Sequence, residues 1–278
     1  IEKQMINIVC TAKPCDGLLY YSYEYCSYLN SIGTSAHLII ISHPMFSEED
    51  YFNSITEKYT HYENVIVNDF VYPGVSLIMG RSMMTLGYKG REAYTIDQLL
   101  VLHLLFRDKV IAVYSENHPV EYHDALDYFS PKEVIDLCDY DVYPKGVGKP
   151  FEKRIWFDIY KPLENDIQFK YLFNGTNSQY YNAAKKVLHK YPDHGIMIYD
   201  IGVINSRYNN LIVPIANLLG VFDTYVYTKS ILDPAPRIIQ ECLYYKKDMI
   251  FEYTNKGAEV YRNRKIQKPD VEVILNEL

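Results

Sequence analysis

The chain has 278 residues, of which 48% are hydrophobic, so it can bury a sizeable core and is not expected to be disordered. Lysine and arginine total 28 against 35 aspartates and glutamates, and this net charge of −7 argues against a nonspecific nucleic-acid coat protein. The five cysteines are scattered without a C-x-x-C pair, and no apolar run reaches the ~20 residues that cross a bilayer. We therefore expect a protein of the reducing cytoplasm without a disulfide framework, a zinc site or a membrane span.

The first half of the chain alternates apolar runs of strand length with helical segments. Strand, helix and strand joined by tight turns are typical of a parallel sheet with crossover helices. Gly33 is expected to end the first helix, because glycine readily adopts the left-handed conformation that follows many helices. The predicted strands are residues 5–11, 37–41, 65–67, 110–114 and 142–143, and the predicted helices are residues 18–31, 96–107 and 131–137.

Residues 144–166 are rich in proline, glycine and charged residues, a composition typical of a linker between domains. A second α/β series follows this segment. Its predicted strands are residues 170–173, 195–199, 223–227 and 248–251, and its predicted helices are residues 179–190, 213–219, 238–245 and 271–278. We therefore expect two packed α/β lobes, residues 1–158 and 159–278, with ligands bound outside the carboxyl ends of the strands.

The segment from Phe222 to Glu241 carries the most informative group of polar residues. A predicted strand ends here, a loop with Asp233 and two prolines follows, and a helix begins near Arg237. The start of a helix offers unpaired N–H groups and the positive end of its dipole to an anionic ligand. Lys229 and Arg237 are the nearest cations. The same pattern is also typical of an ordinary helix with a proline entry and an acidic cap.

Residues Asp233-Pro-Ala-Pro-Arg-Ile-Ile-Gln-Glu241 resemble the E-P-F-G-R-x-x-x-E segment of retaining glycosyltransferases of the GT-B type. The resemblance implies the GT-B fold, in which two Rossmann-like lobes enclose a central cleft, and a UDP-sugar as the donor. It places Asp233 near the donor sugar and Glu241 on the ribose hydroxyls, with Lys229 or Arg237 opposite the diphosphate. The reaction would retain anomeric configuration and require no metal or other cofactor. After Glu241 the chain departs from the family, since residues 242–245 replace its small residues and glycine.

Two glycine-containing loops complete the expected donor site. Gly175 and Thr176 follow the first predicted strand of the second lobe, where the family holds the diphosphate with an arginine and a lysine. Backbone N–H groups and hydroxyls of this loop can cradle a phosphate, but a simple turn before a helix has the same composition. Gly17 follows the first strand of the chain, where GT-B enzymes carry a glycine-containing loop close to donor and acceptor.

Glu116, Asn117 and His118 directly follow the predicted strand 110–114, and polar residues at that position of an α/β fold face the ligand. Glu116 or His118 can position or deprotonate an acceptor hydroxyl, although both can also serve only to cap the next helix. The segment is similar to the Tyr-x-His-Asp-His stretch of the DNA glucosyltransferases of T-even phages, and the opening of the chain resembles those enzymes in layout. Asn117 stands where that family has its catalytic aspartate, and Glu116 where it has the preceding histidine.

Arg81, Lys89 and Arg91 lie in a segment without acidic residues that also contains three glycines and a tyrosine. Such a loop can grip phosphates and stack on a base, but an ordinary solvated loop has the same composition. The resemblance implies 5-hydroxymethylcytosine in phage DNA as the acceptor, with the base extruded from double-stranded DNA in the host cytoplasm. A cell-envelope glycan or lipid is the alternative acceptor, and a non-catalytic nucleotide-binding protein of the same fold is the alternative function.

Asp139 and Asp141 form a D-x-D pattern, which chelates a metal beneath the donor diphosphate in glycosyltransferases of the GT-A fold. The pattern falls between two predicted elements of the first lobe, which the GT-B resemblance assigns to the acceptor. We therefore expect the two aspartates to have a structural role and the donor site to hold no metal.

Overall fold

The computed structural model of the protein describes residues 5–42, 44, 46–62, 64–69, 74–79, 95–114, 128–146, 148–174, 178–191, 194–197, 215–233 and 235–278. Within these ranges the chain has two parallel sheets with flanking helices, which confirms the α/β fold class. It divides into two compact units, Ile1–Tyr160 with Gln267–Leu278 and Lys161–Ile266. The first unit extends two residues beyond the boundary predicted at residue 158, and it also includes Gln267–Leu278, which the sequence pattern placed in the second lobe.

The first unit is built on a sheet of seven parallel strands in the order β3-β2-β1-β4-β5-β6-β7. The central strands are apolar runs buried on both faces, as expected for a parallel sheet covered by helices. The strand order reverses between β1 and β4, and in such sheets this is where ligands bind. The strands are β1 (Met5–Cys10), β2 (Ala36–Ile40), β3 (Val65–Val67), β4 (Gly74–Ile78), β5 (Lys109–Tyr114), β6 (Glu133–Cys138) and β7 (Lys149–Pro150).

Capping side chains set where the helices α1 (Gly17–Ser31), α2 (Glu48–Lys58) and α3 (Ile96–Leu105) begin. The Asp16 carboxylate accepts a hydrogen bond from the Leu18 N–H at 2.8 Å ahead of α1. Ser47 and Thr95 form reciprocal capping boxes ahead of α2 and α3. Gly33 follows α1 with a φ of +84°, which confirms its predicted role. Within the described ranges, no helix combines the length and apolar character needed to cross a membrane.

Two predictions for the first unit were wrong. Residues 131–137, predicted as a helix, contain strand β6, because all six residues of β6 pair with β5 and such pairing outweighs a weak helical preference. Val142 and Tyr143, predicted as a strand, lie in a turn in which the Asp139 carbonyl accepts both of their N–H groups. The sequence pattern also left α2 and β4 unpredicted.

The predicted interdomain linker, residues 144–166, belongs for most of its length to the first unit. It contains β7, and beyond β7 it is fixed by the hydroxyl of Tyr25 on α1. This hydroxyl donates to the Glu152 carbonyl at 3.1 Å and accepts from the Arg154 N–H at 3.2 Å. The main chain is therefore held on both sides of Lys153. This segment has the composition of a linker, but it is packed within the first unit.

A buried carboxylate on α1 anchors the end of this segment. Glu24 is fully buried, and its Oε1 accepts hydrogen bonds from the hydroxyls of Tyr59 at 2.7 Å and Tyr160 at 2.8 Å. The ammonium of Lys58 lies 4.3 Å from the centre of the Tyr20 ring and 5.2 Å from that of Tyr160. Two hydroxyl donors therefore satisfy a carboxylate that would otherwise be costly to bury.

The second unit contains a sheet of four parallel strands in the order β11-β10-β8-β9. The helix predicted at residues 213–219 overlaps a 3-10 helix at Ile215–Gly220. The short helix α7 (Glu272–Leu275) lies in the part of the chain that returns to the first unit. The remaining elements are β8 (Phe169–Asn174), α4 (Ser178–Val187), β9 (His194–Met197), β10 (Phe222–Tyr227), α5 (Arg237–Tyr244), β11 (Asp248–Phe251) and α6 (Lys256–Asn263).

Candidate functional site

The switch point of the second sheet lies between β8 and β10. These neighbouring strands run parallel, and Phe173 of β8 pairs with Val226 of β10. They end at the same level, β8 at Asn174 and β10 at Tyr227, so the carboxyl ends of the two strands lie side by side. Ligands of open parallel sheets bind outside the strand ends at this kind of position.

The loop after β10 carries the first pair of predicted site residues. The Lys229 ammonium donates a hydrogen bond to the Asp233 carboxylate, and both side chains are largely buried. The other carboxylate oxygen of Asp233 accepts the Ala235 N–H at 3.3 Å, which closes a local turn. The loop thus holds a cation and an anion in contact close to the strand end.

The second pair lies one helical turn apart on α5. Arg237 is 8% exposed and Glu241 6% exposed, and the Arg237 Nε donates to the Glu241 Oε1 at 3.1 Å. Both pairs join residues four positions apart. Each pair contains one cation and one carboxylate, so the charges of the four groups predicted to bind a donor cancel. An anionic ligand here therefore draws on cations that are already held in place by carboxylates.

The thiol that follows Glu241 is not suited to nucleophilic chemistry. Cys242 is fully buried on α5, and burial raises the pKa of its thiol well above the ordinary value, with the Glu241 charge adding to the effect. A thiol in this state stays protonated at neutral pH and is a poor nucleophile. On this helix, Arg237 and Glu241 are therefore the candidates for interaction with a ligand, and Cys242 is not.

Thr228 adds a feature that the sequence pattern did not single out. It directly follows β10, it is 1% exposed, and its hydroxyl has no hydrogen-bond partner among the described residues. A buried hydroxyl without a partner costs about 1–3 kcal/mol, so its position at the strand end beside Lys229 marks a place where a polar partner would stabilise the protein. The only signal in the sequence is its place directly after an apolar strand.

In the first unit, the loop after β1 leads directly into α1, whose first residue is Gly17. Cys15 in this loop has a φ of +59°, the left-handed region that residues other than glycine rarely adopt. Its N–H donates to the Ser54 hydroxyl of α2 at 3.0 Å, and the Tyr51 hydroxyl of α2 donates to the Ala12 carbonyl at 3.1 Å. Helix α2, which was not predicted, therefore fixes the loop at the switch point of the first sheet.

Lys153 is a buried cation of the first unit, and the sequence pattern did not indicate its burial. It is 6% exposed, and burial lowers the pKa of its ammonium to about 8, although the charges of Asp139 and Asp16 oppose the shift. Asp139 directly follows β6 and is buried, whereas Asp141 is exposed. The two carboxylates of the D-x-D pattern thus have different surroundings. Within the described ranges, no group of three or more His, Cys, Asp or Glu side chains is arranged to hold a metal.

The predicted site residues separate into three groups. Lys229, Asp233, Arg237 and Glu241 lie on one loop and the helix that follows it in the second unit, and Gly17 lies at the start of α1 in the first. The others fall outside the described residues: Arg81, Lys89, Arg91, Glu116, Asn117, His118, Gly175 and Thr176.

Comparisons with known proteins leave the chain without an assigned family. No protein-family model matches it, and no curated protein matches it in sequence.

Proposed function

We propose that the protein is a glycosyltransferase of the GT-B type that binds a UDP-sugar at the carboxyl edge of the second sheet. The observation that carries the proposal is the placement of Lys229, Asp233, Arg237 and Glu241. These residues occupy one loop and the start of one helix, directly after the strand that borders the switch point. This is the place in an open parallel sheet where a nucleotide is expected, and the residues are the ones that the glycosyltransferase resemblance selects.

In this proposal the cations act on the leaving group. The diphosphate competes with Asp233 for the Lys229 ammonium, and the positive end of the α5 dipole adds to the attraction. Charge that develops on the departing diphosphate is stabilised by groups already in place, which is where electrostatic help is most effective. Asp233 is then released toward the donor sugar, and Glu241, oriented by Arg237, accepts hydrogen bonds from the ribose hydroxyls.

For the acceptor we propose the hydroxymethyl group of 5-hydroxymethylcytosine in double-stranded DNA. The support is the sequence resemblance around Glu116, Asn117 and His118, together with the basic segment that contains Arg81, Lys89 and Arg91. A base inside a duplex has to be extruded before an enzyme can act on it, at a cost of a few kcal/mol. Phosphate contacts by the basic segment would offset part of that cost.

The test is a transfer assay with a panel of UDP-sugars and duplex DNA that either contains or lacks 5-hydroxymethylcytosine. Sugar on the modified DNA alone is the expected result, whereas donor binding or slow donor hydrolysis without a DNA product would direct the search to glycan acceptors. If none of the UDP-sugars binds, the glycosyltransferase proposal is wrong.

Two variants connect the assay to the site. Glu241→Gln is expected to weaken donor binding about tenfold or more, because the ribose loses a charged hydrogen-bond acceptor. Glu259→Gln changes an exposed carboxylate on α6 in the same unit and is the matched control, with no expected effect. Equal donor affinity for both variants would show that Glu241 does not bind the donor.

A further inference from the structure

The start of α6 is tied to the loop that carries Lys229 and Asp233. The side-chain amide of Asn255 donates toward three oxygens of the preceding strand and loop. These are the Tyr227 hydroxyl at 2.8 Å, the Lys229 carbonyl at 3.2 Å and the Ile231 carbonyl at 2.8 Å. One amide group thus spans the loop from the end of β10 to its middle.

The same side chain also caps the helix. The Oδ1 of Asn255 accepts the Ala258 N–H at 3.0 Å, which is the ordinary hydrogen bond of an asparagine at the start of a helix. The oxygen of the amide therefore serves α6, whereas its nitrogen serves the loop. These two roles are chemically separable, because aspartate retains the capping oxygen and lacks the N–H donors.

Gly257, in the first turn of α6, brings the helix into direct contact with the far end of the loop. A Cβ atom placed on Gly257 would lie 1.7 Å from the carbonyl oxygen of Asp233, so no side chain fits there without displacing the loop backbone. Glycine lowers the stability of a helix compared with alanine, so its presence here is explained by the close approach to Asp233. The loop is thereby supported near Lys229 by Asn255 and at Asp233 by Gly257.

We propose that Asn255 and Gly257 are positioning residues, and that the start of α6 fixes residues 228–233 in the conformation that presents Lys229 and Asp233 to the donor. The identity of that ligand as a nucleotide-sugar rests on the proposed function. A loop fixed in advance loses less conformational entropy when its ligand binds, and this raises affinity without adding a contact. Neither positioning residue needs to touch the donor.

The experiment compares wild type with Asn255→Asp, and uses Lys256→Ala at an exposed neighbouring position as the control. Amide hydrogen exchange of residues 228–233 is measured first, on the full chain without ligand. In Asn255→Asp this exchange is expected to be about tenfold faster, since the loop loses its N–H donors and its carbonyls face a carboxylate. Exchange within α6 is expected to change little, because the capping oxygen remains.

Donor binding is measured next, by titration with UDP-glucose or with whichever UDP-sugar of the panel binds wild type most tightly. The dissociation constant of Asn255→Asp is expected to rise about tenfold, equivalent to about 1.4 kcal/mol, and that of Lys256→Ala to stay unchanged. Gly257→Ala is the second variant and is expected to give the same loop-specific increase in exchange through displacement of the Asp233 backbone.

The outcomes separate the two proposals. Unchanged exchange of residues 228–233 in both Asn255→Asp and Gly257→Ala would overturn the positioning inference, whatever wild type binds. Faster loop exchange with no UDP-sugar bound by wild type would confirm that Asn255 and Gly257 hold the loop, and would refute both the proposed function and the donor as the reason for that support. Faster exchange with unchanged donor affinity would show that the loop is positioned for some purpose other than the donor, which would also overturn the inference.

Discussion

Replacing the buried Lys153 with methionine is expected to change how the stability of the first unit depends on pH. Methionine has a similar length and no charge, so the substitution removes the ionisable group from its site. Burial lowers the pKa of Lys153 from 10.5 to about 8, so between these two values the unfolded chain binds a proton that the folded chain does not. The stability of the folded protein therefore rises with pH across that interval. The full destabilisation from burying the charged ammonium is present below pH 8.

The size of the effect follows from the two pKa values. The full difference corresponds to about 3 kcal/mol, of which ~1.3 kcal/mol should be recovered between pH 7 and pH 9. Wild type should accordingly gain about 1.3 kcal/mol over Lys153→Met on going from pH 7 to pH 9. Cys10 is buried with a pKa raised to about 12, which lowers stability at alkaline pH, but it is present in both proteins and cancels in the difference.

The measurement is urea unfolding at pH 7, 8 and 9, followed by tryptophan fluorescence. Trp156 is the single tryptophan of the chain, it lies three residues from Lys153, and its ring centre is 5.2 Å from that of Tyr28 on α1. The signal therefore reports on the first unit. Lys145→Met, at an exposed position, controls for the loss of a lysine from the surface. A stability difference between wild type and Lys153→Met that stays constant from pH 7 to pH 9 would refute the reasoning.

Three further predictions concern other buried polar groups. Glu24→Ala should lower the free energy of unfolding by about 3 kcal/mol, because the hydroxyls of the buried Tyr59 and the half-buried Tyr160 both lose the Glu24 carboxylate as an acceptor. Glu24→Gln retains an acceptor oxygen and should cost less, as urea unfolding can show. Arg237→Met should lower the free energy of unfolding by about 3 kcal/mol, because the buried Glu241 carboxylate loses the Arg237 guanidinium. Adding Glu241→Met to that variant should restore part of the lost stability. Additive losses in thermal unfolding of the two single variants and the double variant would contradict a coupling between these residues. Iodoacetamide at pH 8 should label Cys15, which is partly exposed, before Cys10, whose thiol is buried with a raised pKa; mass spectrometry of the native protein showing Cys10 labelled first would contradict this order.

Much of the fold could be predicted because its signals are local. The apolar runs at Met5–Cys10 and Phe222–Tyr227 have the length and composition of buried parallel strands, and both form strands. Gly33 ends the first helix because only a residue that tolerates positive φ fits after Ile32. Asp233, Arg237 and Glu241 could be predicted as site residues because their spacing resembles a known motif, and Lys229 because it is one of the nearest cations.

The remainder could not be predicted because it depends on partners far away in the chain. Glu133–Cys138 becomes a strand through pairing with β5, and the local sequence alone gave a helix. The segment around Lys153 has the composition of a linker, yet the Tyr25 hydroxyl, more than a hundred residues away, fixes it within the first unit. No local pattern distinguishes Gly257, because its reason is the close approach of the Asp233 carbonyl, which lies on a separate loop.

The sequence by itself therefore determined the α/β class, the parallel character of the sheets and the charged residues after β10, because periodicity and composition act over a few residues. Only the tertiary structure decided the strand orders, which bring the ends of β8 and β10 side by side. It also decided that Lys229 pairs with Asp233 and Arg237 with Glu241, and that α6 supports the loop that carries the first of these pairs. Burial and distance set the charge and position of these groups, and both are properties of the packed chain.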